Sequence, residues 1–294
     1  MLEVRKINKS FGGHQVLDDV SFDVAGGRIT GFVGRNGAGK TTTMRIMLGV
    51  LAADSGDVRL AGSSLTTADR RRFGYMPEER GLYPKMPIGE QLGYLARLHG
   101  LSSAAARRNT TDLVEKLGLT ERISDRVETL SLGNQQRAQV AAALVHDPEA
   151  LILDEPFSGL DPLAVDVVLS VLTERARAGI PVLFSSHQLD IVEQLCDDLV
   201  IIADGTIRAT GGRDELREQY AGTTYQATFG DDAGWLREQP GVEVIEFDGP
   251  NALFDCDSTD TAQAVLTRAV ERGPVLSFSP RQPRLAEIFK EVIQ

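Results

Sequence analysis

The run Gly34-Arg35-Asn36-Gly37-Ala38-Gly39-Lys40-Thr41-Thr42 gathers glycines, a lysine and two threonine hydroxyls into one short stretch. Glycines at this spacing let the backbone curl so that successive N–H groups point into a concave nest, an arrangement suited to phosphate oxygens. Lys40 sits where an ammonium reaches the outer phosphates, and the Thr41 hydroxyl where it meets Mg²⁺. The flanks give the pattern its physical context. Ile29-Thr30-Gly31-Phe32-Val33 reads as a strand before the loop and Thr42 to Leu48 as a helix after it, which aims the positive helix end at the same point.

A phosphate loop with a metal needs a carboxylate opposite. Leu151-Ile152-Leu153-Asp154-Glu155 supplies one at the end of a continuous apolar run, with Asp154 placed for Mg²⁺ and Glu155 placed to orient a water and accept its proton. Either acid could instead cap the turn that follows, but two adjacent acids after an apolar strand favour the catalytic reading.

The elements that must position these groups are legible in outline. Short strands with glycine turns, among them Leu2-Glu3-Val4 and Val20 to Val24, lead into the loop, and Val58-Arg59-Leu60 and Phe73 to Met76 follow as further strands. From Ile88 to about Arg126 the apolar spacing turns helical, marking an insert whose basic side chains read as a solvated face. Ala150–Leu153 has the composition of a strand covered on both faces of a parallel sheet. Beyond it, a helix over Val165–Ala176, a strand over Pro181–Ser185, a helix over Leu189–Leu195 and a strand over Leu199–Ile202 alternate as a three-layer α/β core requires. After a short charged helix, Arg213 to Tyr220, the pattern changes to strands at Thr224–Phe229, Val242–Phe247, Ala252–Cys256 and Val275–Phe278. Helices follow at Thr261–Glu271 and Leu285–Val292, and the whole describes a small α+β domain with Trp235 in its core.

Composition narrows the function classes. The net charge of −11 argues against a nonspecific nucleic-acid binder, and residues 222–294, with 12 acidic and 6 basic residues, are poorly suited to anionic lipid. No apolar run approaches a bilayer span, and no charged-then-apolar leader opens the chain. Cys196 and Cys256 form neither a disulfide framework nor a zinc site and read as small buried residues of a reducing compartment.

Between the two halves of the site lies Leu130-Ser131-Leu132-Gly133-Asn134-Gln135-Gln136-Arg137. Taken in order with Gly34 to Thr42, Leu151 to Pro156, Ser158-Gly159-Leu160-Asp161-Pro162 and Ser186-His187, it resembles the nucleotide-binding subunit of an ATP-binding cassette (ABC) transporter. The likeness spans about residues 2 to 220. It implies a P-loop NTPase core of α/β class with an N-terminal antiparallel β subdomain and a helical subdomain at about 88–140, followed by the α+β accessory domain at 221–294.

In that family two chains sandwich two ATP molecules, the signature of one completing the site of the other. Carried over residue by residue, the resemblance assigns the loop 34–42, Ser131, Gly133 and Asn134 to ATP, Phe11 to adenine stacking and Asp161 to a loop that communicates across the dimer. His187 becomes a switch histidine beside the γ-phosphate. The switch-loop position, usually Gln, is Glu78, a carboxylate able to ligate Mg²⁺ or to point to solvent. Leu132 and Asn134 also depart from the commonest signature, Leu-Ser-Gly-Gly-Gln. The stretch Pro77 to Met86 and the C-terminal Pro283–Phe289 resemble the ABC-2-type exporters of the sodium-extrusion and drug-resistance branch. The implied partners are a second copy and a separate membrane permease, which would hold the chain at the cytoplasmic face of the membrane; no nucleic acid is implied.

Overall fold

The computed structural model describes residues 1–79 and 81–293; Arg80, within the predicted switch stretch, lies outside them. Two compact units form, Met1–Arg213 and Asp214–Glu291, dividing a little before the 220/221 boundary expected from composition.

In the first unit, β1 (Leu2–Phe11) and β2 (His14–Val24) form a hairpin across Gly12-Gly13, both glycines at positive φ. Next come β3 (Ile29–Val33), α1 (Lys40–Met47), β4 (Ser55–Leu60), β5 (Ser63–Ser64), α2 (Thr67–Arg70) and β6 (Phe73–Met76). The helical insert supplies α3 (Ile88–Leu98) and α4 (Ser103–Lys116), then single 3-10 turns to Thr129 and α5 (Leu132–Leu144). The rest is β7 (Ala150–Asp154), α6 (Pro162–Arg177), β8 (Val182–Ser186), α7 (Leu189–Leu195), β9 (Asp198–Ala203) and β10 (Thr206–Gly212), and α8 (Arg213–Gln219) then opens the second unit.

Two sheets organise the first unit. Strands β2-β1-β4-β5 are antiparallel; β10-β9-β3-β8-β7-β6 form the central sheet, parallel except at the β10 edge. Every residue of β3, β7 and β8 is buried, which is why β7 reads as an unbroken apolar run up to Asp154, while β3 and β8 also bury Thr30, Ser185 and Ser186. The two-residue period of a strand divides their side chains between two layers. Ile152, Leu183, Val200 and Ile202 join one core with Met44 and Met47 of α1 and with Leu2, Val4 and Val20 of the antiparallel sheet. The opposite face is covered by α6 and α7, whose Val168, Leu172 and Val192 are fully buried. Each such side chain contributes about 1.5–3 kcal/mol by leaving water, so the sheet that carries the site is the most firmly held part of the unit.

The structure differs from expectation at several points. The helical pattern from Ile88 breaks into separate helices, because Ser102 caps α4 and Gly118 ends it at φ 65°. Helix α6 starts at Pro162, a residue suited to the first helical turn, with Asp161 as its cap. Strand β10 was not expected at all: Thr206–Gly212 has no clear alternation and contains two glycines, and it is ordered by pairing with β9.

The second unit is a sheet of β11 (Thr224–Phe229), β12 (Val242–Asp248), β13 (Asn251–Cys256) and β14 (Val275–Pro280), in the order β12-β13-β11-β14 and antiparallel throughout. A 3-10 helix at Ala233–Glu238 follows β11, α9 (Thr259–Arg272) follows β13, and α10 (Leu285–Val292) comes last, giving the split βαβ order of a ferredoxin-like domain. Its core holds Phe229, Leu236, Phe254, Cys256 and Val265, with Trp235 packed against it half-buried, edge-on to Phe229. Cys196 and Cys256 are free and buried.

Candidate nucleotide-binding and hydrolytic site

Strand β3 delivers the chain into the loop 34–39, and sterics dictate its glycines. A Cβ on Gly34 would lie 2.5 Å from the carbonyl oxygen of Ile202, and one on Gly39 2.5 Å from a Leu17 methyl at φ 106°. Neither position has room for a side chain, and Gly39 adopts a conformation that L residues rarely take. The β9–β10 turn braces the loop from below, its Gly205 N–H donating to Ala38 O at 3.2 Å. Lys40 opens α1 almost fully buried, its Nζ donating to Gly34 O at 2.7 Å and Arg35 O at 3.3 Å. Burial pulls its pKa down, opposed by Glu155, Asp154 and Glu78.

Across the cavity, β7 ends in the two acids. Asp154 accepts from Thr41 Oγ1 at 2.9 Å on one oxygen and from the buried hydroxyl of Ser185 on the other. Glu155 takes φ 54°, and its N–H donates to Ser185 Oγ at 3.0 Å. Its carboxylate, 7% exposed, meets His187 Nδ1 at 2.8 Å, while the His187 side chain is half open to solvent. Burial raises the Glu155 pKa, and the hydrogen bond and charge of His187 hold it down in part. A raised pKa moves this carboxylate toward the range of a general base.

Lys40, Thr41 and the two acids open onto one cavity of about 570 Å³, whose lining includes neither Ser185 nor His187. Phe11, Asn36, Gly37, Gly39, Lys40, Thr41, Thr42, Glu78, Asp154 and Glu155 all line it, so residues far apart in sequence meet as predicted. Phe11 stands at the tip of β1, 48% exposed, with Lys9 Nζ 5.3 Å from its ring centroid. The donor set fits Mg²⁺: Thr41 and Asp154 present hard oxygens within hydrogen-bond distance of each other beside an amide nest.

The signature residues are elsewhere. Ser131 caps α5, its Oγ accepting from Asn134 N–H at 3.3 Å, and the nearest neighbours of Gly133 are Leu160 and Gly159. Asn134 accepts from Arg137, which also donates to Leu117 O at 2.8 Å. Asp161 spends a carboxylate oxygen on Ala164 N–H at 2.9 Å. None of the four lines the cavity of its own chain. Ser185, which bonds both acids, and Gln136, which bonds the Glu155 backbone, were not singled out from sequence; the serines before His187 were the only signal.

Comparison with known proteins follows this geometry. The family model described as ABC transporter matches residues 17–158, and that of the DrrA1-3-like ATP-binding protein C-terminal domain matches 211–293. An ABC transporter ATP-binding protein of Bacillus subtilis (strain 168), YhaQ, is 34% identical over 293 residues, covering 100% of this chain and 98% of its own. Nod factor export ATP-binding protein I of Paraburkholderia xenovorans (strain LB400) is 36% identical over 98% of this chain and 95% of its own. A solved ATP-binding subunit of an ABC transporter superposes with a TM-score of 0.69 at 35% identity, over 75% of this chain and 93% of that one. With its phosphate loop, paired acids and signature helix in their places, the chain belongs to the ATP-binding, ATP-hydrolysing subunits of ABC transporters.

Proposed function

We propose that two copies of this chain close around two Mg·ATP and power export through a separate permease at the cytoplasmic face of the membrane. The observation that carries the hydrolytic reading is the convergence of Lys40, Thr41, Asp154 and Glu155 on one cavity, with Glu155 buried and paired to His187. Lys40 and the loop amides neutralise phosphate charge, Phe11 stacks on adenine, and Thr41 with Asp154 holds the metal, joined by Glu78. Bound Mg²⁺ supplies further charge neutralisation on the phosphate oxygens. Glu155 orients the attacking water and takes its proton, and His187 fixes the carboxylate and senses the γ-phosphate. Ser131, Gly133 and Asn134 do not line the cavity of their own chain, which suits a role in the site of the second copy, with Asp161 beside them in the interface.

Export is supported by the likeness to a Nod factor export protein along nearly the whole chain. Permease docking is supported by a groove of about 520 Å³ edged by exposed Tyr83 and Tyr94, with Met86 and Pro87. Buried Gln91 clamps that segment, accepting from Tyr83 N–H at 2.7 Å and donating to Tyr83 O at 3.3 Å. No helix among the described residues is long and apolar enough to cross a membrane, and in this reading a separate permease provides the path. We assign residues 1–220 to nucleotide chemistry and 221–294 to an accessory role. The net charge of −11 supports no nucleic-acid partner.

Glu155→Gln tests the reading. The variant should bind Mg·ATP, migrate as a long-lived dimer in a sizing column, and turn over at least about 100-fold more slowly. Turnover near the parent rate would remove Glu155 as the base.

A further inference from the structure

Helix α5 begins at the signature and runs back along the segments that carry Glu155 and Glu78. Gln136 and Gln139, three residues apart and therefore on one face, are only 5% and 4% exposed, a burial that glutamine tolerates when its amide is satisfied. Gln136 Nε2 donates to Glu155 O at 2.9 Å and Pro156 O at 3.1 Å. Gln139 Nε2 donates to Pro77 O at 3.1 Å and Glu79 O at 3.4 Å, either side of Glu78. One helix face thus holds, by their backbones, the two segments that present carboxylates to the cavity.

The grip matters most at Glu155. Its φ of 54° is a left-handed conformation, disfavoured for a residue with a Cβ, and it persists only where its surroundings over-determine it. Ser185 secures the N–H, Gln136 at 2.9 Å and the Ser158 N–H at 3.2 Å the carbonyl, and His187 the carboxylate. Loss of the Gln136 bond leaves the carbonyl only the longer turn bond from Ser158, which lets the residue relax toward negative φ and re-aims the carboxylate away from the water it activates.

The geometry points to Gln136 as a positioning residue for Glu155, with Gln139 as its counterpart on the Glu78 segment. This rests on Glu155 being the base, as proposed above. It goes further by making α5 the part that aims the base, so a displacement of the signature end of α5 reaches Glu155 through Gln136.

The test is a double-mutant cycle in the 294-residue chain, read by single-turnover hydrolysis of radiolabelled ATP. Gln136→Met keeps the length of the side chain and removes the donor; Gln136→Glu keeps its shape and turns the donor into an acceptor. Each should lower kcat at least about tenfold with KM for ATP within about twofold, because Phe11 and Lys40 are untouched. In a Glu155→Gln background neither should cost anything further, since the effect runs through Glu155. A general weakening of the fold would instead raise KM or multiply with Glu155→Gln, and either result overturns the proposal, as does unchanged kcat in the single variants. If Glu155→Gln itself turns over normally, the assignment of the base fails; if it is inactive and the losses still multiply, only the positioning role fails.

Discussion

Ser185 is the residue on which both acids depend, and its removal has a magnitude that follows from the structure. The hydroxyl is fully buried, donates to one oxygen of Asp154 and accepts the Glu155 N–H at 3.0 Å. Ser185→Ala keeps the strand and its packing while removing both bonds. A bond to a charged group is worth about 1.5–3 kcal/mol, and a buried N–H left unpaired costs about 1–3 kcal/mol. Asp154 keeps its bond from Thr41, which sets the total in the lower half of their summed range, about 3–4 kcal/mol. In a unit of this size that is a fall in Tm of roughly 10 °C. Turnover should fall as well, by about 10–100-fold, because Glu155 loses one of the bonds that hold its φ of 54°. Urea titration and single-turnover hydrolysis measure the two effects, and Ser185→Cys, a weaker donor in a similar volume, should fall between parent and alanine. A Ser185→Ala protein within about 0.5 kcal/mol of the parent and with normal turnover would show that the two bonds hold neither acid in place.

Glu155→Gln should raise stability near neutral pH, since it removes a carboxylate whose burial raises its pKa. The folded state binds a proton that the unfolded state releases above its ordinary value of about 4.5, so this cost grows as pH rises. The gain over the parent in thermal melts should therefore shrink as pH falls toward that value. The opposite trend is expected at His146, held neutral by burial and by the ring of His99, stacked at 3.8 Å, with a pKa lowered to about 4. The unfolded chain takes up this proton at about 6.5, so stability is lost as pH falls from about 6.5 to about 4, by at most roughly 3 kcal/mol. His146→Gln should flatten that part of the stability profile, and an unchanged slope would show that His146 is protonated in the fold.

The legible part of the site is the part whose chemistry restricts residue type. Gly34 and Gly39 could be named because backbone amides must reach phosphate where a Cβ would collide with Ile202 or Leu17. Asp154 and Glu155 could be named because an acid at the end of a fully buried strand has few other uses. The buried strand β7 was equally plain, since a strand covered on both faces is built mostly from apolar residues. What stayed hidden was set by pairing over long distances. Thr206–Gly212 becomes a strand through β9 alone, and the order β12-β13-β11-β14 depends on contacts that no local pattern encodes.

Gln136, Gln139 and Ser185 were illegible for another reason. Each satisfies a backbone group of a residue it supports, and every residue has such groups, so the target leaves no mark on the sequence. A glutamine in a helix also reads as solvent-facing until the burial of α5 is known. Phosphate contacts are thus recoverable from residue types, whereas the bonds that hold Glu155 at φ 54° are recoverable only from coordinates. The practical consequence concerns how such a site fails. On the proposed reading, substitutions at Lys40 or Asp154 remove a group that holds the phosphates or the metal, whereas substitutions at Gln136 or Ser185 leave every such group present and mis-aim the proposed base, so their defects should appear in kcat before KM.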